Sequence, residues 1–389
     1  MKNKTIFYFL NLFIWILSIL AIAWLWDHWF LDGPYGNYRW VGTDFAPYWI
    51  GTREIINGVN PYNAETNLKI QELVYGGKAL SYQDPMMFVY PAWIFIVILP
   101  FTILPYKWAV ILYEGSLLWV ILLFLQSIAM TLENEKISIQ SFWLILLVIG
   151  SLPFMVISII KGQLGYLSLL ALFIIYKLWK KYPIFAGFLL GFSLIKPTVI
   201  IIPILGILLW VLINRNWKFL ISFLTCILLL LGISFLMIGN WIANYINIIS
   251  IKGGMPTLWS FSILPKPYNY FYASIFIVIG IISFLYSLAN REHDYWFSAI
   301  ILMGIALTPM RWIYDLFLGI LILTEKRKFT RLQYFMIGLT IISPWILIFI
   351  PGLLKWKIAV VGFPLLWAVI LLMFIFSENM KIKCIKLTE

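Results

Sequence analysis

The chain has 389 residues, 63% of them hydrophobic and 11% charged, against roughly 45–50% apolar and 25% charged in soluble proteins. No soluble fold of this length could bury that much apolar surface, so the sequence reads as an all-α polytopic membrane protein with lipid as its solvent. The net charge of +12 does not point to nucleic acid, because the basic residues stand in short clusters between apolar segments, as cytoplasmic loops do.

The first spanning segment is expected from Ile6 to Trp26. It is too long for a cleavable signal peptide, and no small-residue cleavage site follows it. Residues 27–86 differ in chemistry. They hold seven of the sixteen acidic residues (Asp27, Asp32, Asp44, Glu54, Glu65, Glu72 and Asp84) and are rich in Tyr, Trp, Asn and Gly. Within this loop a helical pattern ends at Gly58. Ile50, Ile55 and Ile56 form its apolar edge and Arg53 and Glu54 face elsewhere, the pattern of an amphipathic helix lying at the membrane interface. Asp44, near its start, suits either a helix N-cap or a functional carboxylate.

The run 87–104 carries Pro91 and Pro100 and reads as a short helix docked on the outer side. The run 107–130 reads as a crossing, with Glu114 as a carboxylate paired inside the bundle. The basic clusters are Lys2/Lys4, Lys177/Lys180/Lys181, Arg215/Lys218, Arg291, Lys326–Arg331 and Lys381/Lys383/Lys386. Placing all of them in the cytoplasm makes Tyr182–Trp210 a hairpin broken at Lys196-Pro197, and Tyr295–Leu323 one broken at Pro309. The expected architecture is a single domain of about ten to twelve membrane-embedded helices, with a first outer loop over 27–86 and a transmembrane bundle over 87–376. Five features then reach the outer face of the cell membrane: residues 27–86, Lys161-Gly162-Gln163, Lys196, the loop 239–268 and Arg311. Cys226 and Cys384 are not expected to pair and carry no information on redox compartment.

Several stretches resemble a known family, in the expected order from about residue 40 to 320. Thr43-Asp44-Phe45, followed by Asn57-Gly58-Val59-Asn60-Pro61-Tyr62, is similar to the opening of glycosyltransferase family 87. Phe88-Val89-Tyr90-Pro91 with Leu99-Pro100, the Lys161-Gly162-Gln163 turn, Ala186-Gly187-Phe188-Leu189-Leu190-Gly191 with Lys196, and Thr308-Pro309 with Tyr314-Asp315 resemble later elements of that family. Two departures stand out: Ala92 replaces the second proline of the tyrosine-proline motif, and Trp259-Ser260-Phe261-Ser262 stands where Asn-Gln-Ser is frequent. The resemblance implies a multi-spanning enzyme of the GT-C fold. Such an enzyme moves a sugar from a polyprenyl-phosphate donor to an acceptor hydroxyl at the outer face, with inversion and with mannose as the suggested sugar. In such enzymes a carboxylate of the first outer loop is the catalytic base, a role that the resemblance carries onto Asp44.

That chemistry asks for a base within hydrogen-bond reach of the attacking hydroxyl and for fixed cations near the leaving phosphate. Lys196, Lys161, Arg311 and Arg53 are the candidate phosphate ligands. Each has a plainer reading, as a side chain snorkelling to the headgroups or, for Arg311, as a partner of Asp315 four residues on. Tyr48, Trp49, Tyr62 and Gln163 are candidate sugar or acceptor contacts, against the reading of the aromatics as interfacial belt residues. No zinc spacing and no Gly-rich phosphate loop occurs, so no cofactor is called for, and a divalent cation stays open. The expected partners are the lipid-linked sugar, a lipid-linked or glycan acceptor, and membrane lipid. The rival reading is a transporter or lipid flippase, which also uses broken helices and charges near mid-membrane. Against it, the large acidic loop has no counterpart in the second half of the chain.

Overall fold

The computed structural model describes residues 2–28, 31–33, 36–38, 41–81, 83–133, 157–253, 264–289, 295–308, 331–348 and 361–373, with isolated positions between 316 and 375. The first helices are α1 (Lys2–His28), α2 (Phe45–Ile56), α3 (Ala64–Tyr75), α4 (Phe95–Thr102), α5 (Tyr106–Glu133) and α6 (Gly165–Leu178). They are followed by α7 (Pro183–Phe192), α8 (Pro197–Ile213), α9 (Trp217–Ile238), α10 (Ile242–Gly253), α11 (Tyr268–Ala289), α12 (Tyr295–Leu307) and α13 (Arg331–Ile348). A short ribbon pairs Leu31–Gly33 (β1) antiparallel with Gly36–Tyr38 (β2), Leu31 opposite Tyr38. The protein is an all-α polytopic membrane protein: a chain in lipid must satisfy its backbone hydrogen bonds within each segment, and helices do so.

Among the described residues four helices are long and apolar enough to cross a membrane: Phe9–His28 of α1, Tyr106–Phe124 of α5, α9 and α11. At 1.5 Å per residue, about twenty residues span the ~30 Å hydrocarbon core. Shorter apolar helices fill the space between them.

Helices α1 and α5 run antiparallel in close contact. A Cβ at Gly115 would lie 2.8 Å from the Ile19 Cα, so only glycine admits the α1 backbone at that point. One residue on, the Trp15 indole N–H donates to the Ser116 hydroxyl at 3.1 Å. Near the loop end, Lys107 pairs with Asp27 at 2.8 Å. Helices α7 and α9 meet through Gly187 and Gly191, which lie against the Phe219 carbonyl and against Cys226. The Ala-Gly-x-x-x-Gly stretch is therefore a small-residue helix seam, where packing rather than hydrophobicity drives association.

The expected break at Lys196-Pro197 is present. Helix α7 ends in a 3-10 turn over Ser193–Ile195, and α8 starts at Pro197, because proline is tolerated at a helix start and disfavours helix in the residue before it. The far end of α8 returns to where α7 began: the Asn216 side chain reaches the Trp179 carbonyl at 3.5 Å. The run 87–104 forms a 3-10 turn and the eight-residue α4, about 12 Å long and too short to cross alone. The segment after α9 folds against the first loop, with Trp241 stacked on Tyr62 at 5.7 Å and Lys252 paired with Asp84. Helix α12 ends at Leu307, where the Thr308 hydroxyl donates to the Gly304 carbonyl at 2.6 Å. Pro309, Arg311, Tyr314 and Asp315 lie outside the described residues, as do Arg291, Lys326–Arg331's first residues and Cys384.

One expectation is corrected. Helix α2 does not lie open at an interface. Phe45, Ala46, Pro47, Tyr48, Trp49, Gly51, Thr52 and Ile55 are all buried in protein, and the Phe88 ring occupies the space over Gly51. Arg53 and Ile56 are exposed. The helical period shows that one face is apolar, but it does not say whether lipid or protein covers that face.

Candidate functional site

Two loops cross at the heads of α2 and α6, and the fold locks them together through the main chain. The first is Val41–Asp44. Gly42 has φ +79°, and the Val110 methyls of α5 fill the space where a side chain would stand. The Gly42 carbonyl accepts from the Tyr106 hydroxyl at 2.6 Å and from the amides of Phe45 and Ala46 at 2.9 and 3.1 Å. This turn starts α2. Asp44 stands at the N-cap position, yet its side chain makes no capping hydrogen bond, so the carboxylate is turned to another task.

The second loop is Ile160–Leu164. Gly162, at φ +75°, donates its amide to the Ile159 carbonyl at 2.8 Å, and the Gln163 amide donates to the Ser158 carbonyl at 2.9 Å. That is a Schellman ending, which needs a left-handed residue and explains the glycine in the Gly-Gln pair. The two loops are joined by two backbone hydrogen bonds of 2.8 Å, from Gly42 to the Ile160 carbonyl and from Asp44 to the Lys161 carbonyl.

The side chains follow from this frame. Gln163 donates its amide N–H to the Asp44 carboxylate. The Lys196 ammonium, at the break between α7 and α8, donates to the Gln163 side-chain carbonyl at 2.6 Å. Only one orientation of the Gln163 amide serves both partners, nitrogen to the carboxylate and oxygen to the ammonium. Lys196 and Gln163 are 3% and 2% exposed, whereas Asp44 and Lys161 are half-buried. An anion, an amide and a cation therefore stand in line, with the carboxylate end open to solvent or substrate. Charge-assisted hydrogen bonds of this kind fix orientation as well as adding energy.

The other candidate residues are placed differently. Arg53 lies at the opposite end of α2, its guanidinium 4.5 Å from the Trp49 ring centre, about 13 Å along the helix from Asp44. Trp49 is buried, with its indole N–H donated to the Phe101 carbonyl at 3.3 Å. Tyr62 donates to the Tyr90 carbonyl at 2.6 Å and is covered by Trp241. Tyr48 is fully buried and donates to the Tyr90 hydroxyl at 3.2 Å. Burial above all, with Tyr90, Tyr113 and Asp44 nearby, pushes the Tyr48 hydroxyl well above the usual tyrosine range, so it stays a proton donor. These three rings are built into the protein core next to the site, and their faces are taken by protein neighbours. Arg311 lies outside the described residues.

Four loop carboxylates are held in ion pairs away from this point: Asp27 with Lys107, Glu54 and Glu65 with Lys69, and Asp84 with Lys252. Glu114, which the sequence offered only as a paired carboxylate of a crossing helix, and Tyr106, which it did not single out, lie directly against the two loops. The contact joins residues 64 positions apart in the case of Tyr106 and Gly42, and no local signal announces it. Glu114 is buried as expected, but among the described residues neither of its carboxyl oxygens has a hydrogen-bond partner, which corrects the expectation of a paired carboxylate. Among the described residues no group of three or more His, Cys, Asp or Glu side chains comes together as a metal site.

The profile of glycosyltransferase family 87 matches residues 88–313, more than half of the chain. No curated protein and no solved structure matches it. The matched span contains Lys161, Gln163, Lys196 and Arg311 and begins after Asp44. Together with the fold, this match shows that the chain is a member of glycosyltransferase family 87.

Proposed function

We propose that the protein transfers a sugar from a polyprenyl-phosphate donor to an acceptor hydroxyl, with inversion, at the outer face of the cell membrane. The observation that carries this reading is the line Asp44–Gln163–Lys196, which unites a carboxylate and a cation from distant segments at one point.

In a single displacement the acceptor oxygen attacks the anomeric carbon as its proton passes to the Asp44 carboxylate. The bond from that carbon to the phosphate oxygen breaks, and the phosphate leaves with the electron pair. A base must be held within hydrogen-bond reach of the hydroxyl, and the Gln163 amide holds the Asp44 carboxylate in one orientation. The leaving phosphate gains negative charge, which the Lys196 ammonium offsets from a buried position where water screens little. Lys161, on the same turn, supplies a second cation. The sugar suggested by the family resemblance is mannose. The placement of this site at the outside is supported by the distribution of the basic clusters, and the loop after α9 packs against the first loop.

The test is direct. Purified protein reconstituted in lipid is given polyprenyl-phosphate carrying labelled mannose, glucose or arabinose, together with membrane extract as a source of acceptor. Transfer of label that is lost in Asp44→Asn supports the reading. Undiminished transfer in that variant removes Asp44 from the chemistry.

A further inference from the structure

Glu114 is the buried carboxyl that this reaction scheme leaves unused. It is fully buried within α5, and among the described residues both of its side-chain oxygens lack a hydrogen-bond partner. The Gly42 amide approaches the carboxyl but is committed to the Ile160 carbonyl at 2.8 Å. A carboxyl sealed inside a spanning helix without a partner costs free energy that an apolar side chain would not, so stability does not account for it.

Its surroundings do. A Cβ on Gly162 would lie 3.1 Å from the Glu114 Oε1 and 2.8 Å from the Phe45 Cβ. The turn at Gly162 therefore lies directly against both the Glu114 carboxyl and Phe45, the first residue of α2. That turn supplies the two carbonyls that hold the Gly42 and Asp44 amides, and its Gln163 side chain donates to the Asp44 carboxylate. Every hydrogen bond from the turn to the Asp44 loop thus depends on where the turn rests. Glu114 is itself fixed in place. The next two residues are Gly115, flush against the Ile19 backbone, and Ser116, bonded to Trp15. On the same helix Tyr113 stacks on Phe45 at 4.5 Å.

We propose that Glu114 is a positioning residue: its carboxyl seats the Lys161–Gln163 turn and, through that turn, sets the placement of the Asp44 carboxylate. Because it is closed off from the surface, it acts without touching substrate. The proposal rests on the reading of Asp44 as the base for its effect on turnover, but not for its effect on the turn.

The test compares Glu114→Ala and Glu114→Gln in the full-length protein in lipid. Hydrogen exchange is followed over 41–46 and 158–164, alongside melting temperature and the kinetics of sugar transfer. Glu114→Ala should speed exchange in both segments by roughly tenfold, the mark of a local opening. It should lower kcat by roughly tenfold or more, as small misplacements of a catalytic group do. Glu114→Gln keeps the shape and should restore both readouts. If Glu114→Ala fails to fold, Glu114→Asp, which draws the carboxyl back by one methylene, takes its place. Unchanged exchange in the two segments overturns the proposal whatever the activity. So does a Glu114→Gln protein with native exchange and a kcat as low as that of Glu114→Ala, which would make the carboxyl a chemical group. Asp44→Asn is measured in parallel. If that variant is fully active the base assignment is what has failed, and exchange alone then decides the seat.

Discussion

The Lys196 ammonium and the Gln163 side-chain carbonyl are 2.6 Å apart, both buried, across 33 residues of sequence. The same Gln163 amide turns its nitrogen to Asp44, 119 residues away. A cation, an amide and an anion are thereby joined by two hydrogen bonds, and removing the middle group separates the other two. Gln163→Ala should lower turnover by roughly 10- to 100-fold, since a hydrogen bond to a charged group contributes about 1.5–3 kcal/mol. Gln163→Glu should do no better, because it sets a carboxylate against Asp44. Steady-state kinetics on folded protein decide the matter, and native kcat in Gln163→Ala would show that the line has no part in the reaction.

Asp44→Asn and Asp44→Ala separate base from cap. A general base contributes typically 10²–10⁴-fold, so both variants should lose that much turnover. A capping residue would instead cost about 1 kcal/mol of stability on mutation to alanine while asparagine stayed silent. The carboxylate makes no capping hydrogen bond but accepts from the buried Gln163 amide. Asp44→Asn should therefore melt near native, while Asp44→Ala loses about 1–3 kcal/mol by leaving that donor unpaired. The loss of turnover in Asp44→Asn is the reading that separates base from cap.

Lys196→Ala should raise the KM for the lipid-phosphate donor, and Lys196→Arg should recover part of it because charge matters more than shape at a leaving phosphate. Binding of polyprenyl phosphate alone, followed by tryptophan fluorescence, gives the same comparison without catalysis. Equal affinity in the native and alanine proteins would leave Lys196 as a positioning group for Gln163 alone.

Gly187→Ala tests the helix seam. The added methyl would collide with the Phe219 backbone carbonyl, which cannot swing aside, so the variant should lose about 1–3 kcal/mol of stability. Gly232→Ala, in α9 with nothing near its Cβ position, is the control and should melt at or above the native temperature, because alanine favours helix over glycine.

Sidedness is checked with single cysteines at Lys78 and Lys181, both exposed, in a chain lacking Cys226 and Cys384. In whole cells an impermeant thiol reagent should label the Lys78→Cys protein and leave Lys181→Cys untouched. The reverse pattern would place the site on the cytoplasmic side.

The class of the protein and its local breaks follow from the amino-acid order alone. Hydropathy dictates helices in lipid, and proline forces the break after Lys196. These are consequences of single residues and their immediate neighbours. Which surfaces meet is a matter of the folded chain. Of the apolar edge read on α2 only Ile55 is buried and Ile56 stays exposed, while the fold packs Gly51, Trp49 and Phe45 against Phe88, Phe101 and Tyr106. Tyr48, Trp49 and Tyr62 became core rings for the same reason. Asp44, Gln163 and Lys196 stand on three segments whose meeting point is set by the amides of Gly42 and Asp44 donating to the Ile160 and Lys161 carbonyls. That pairing arises from chain geometry over more than a hundred residues, a range at which neither composition nor periodicity carries information.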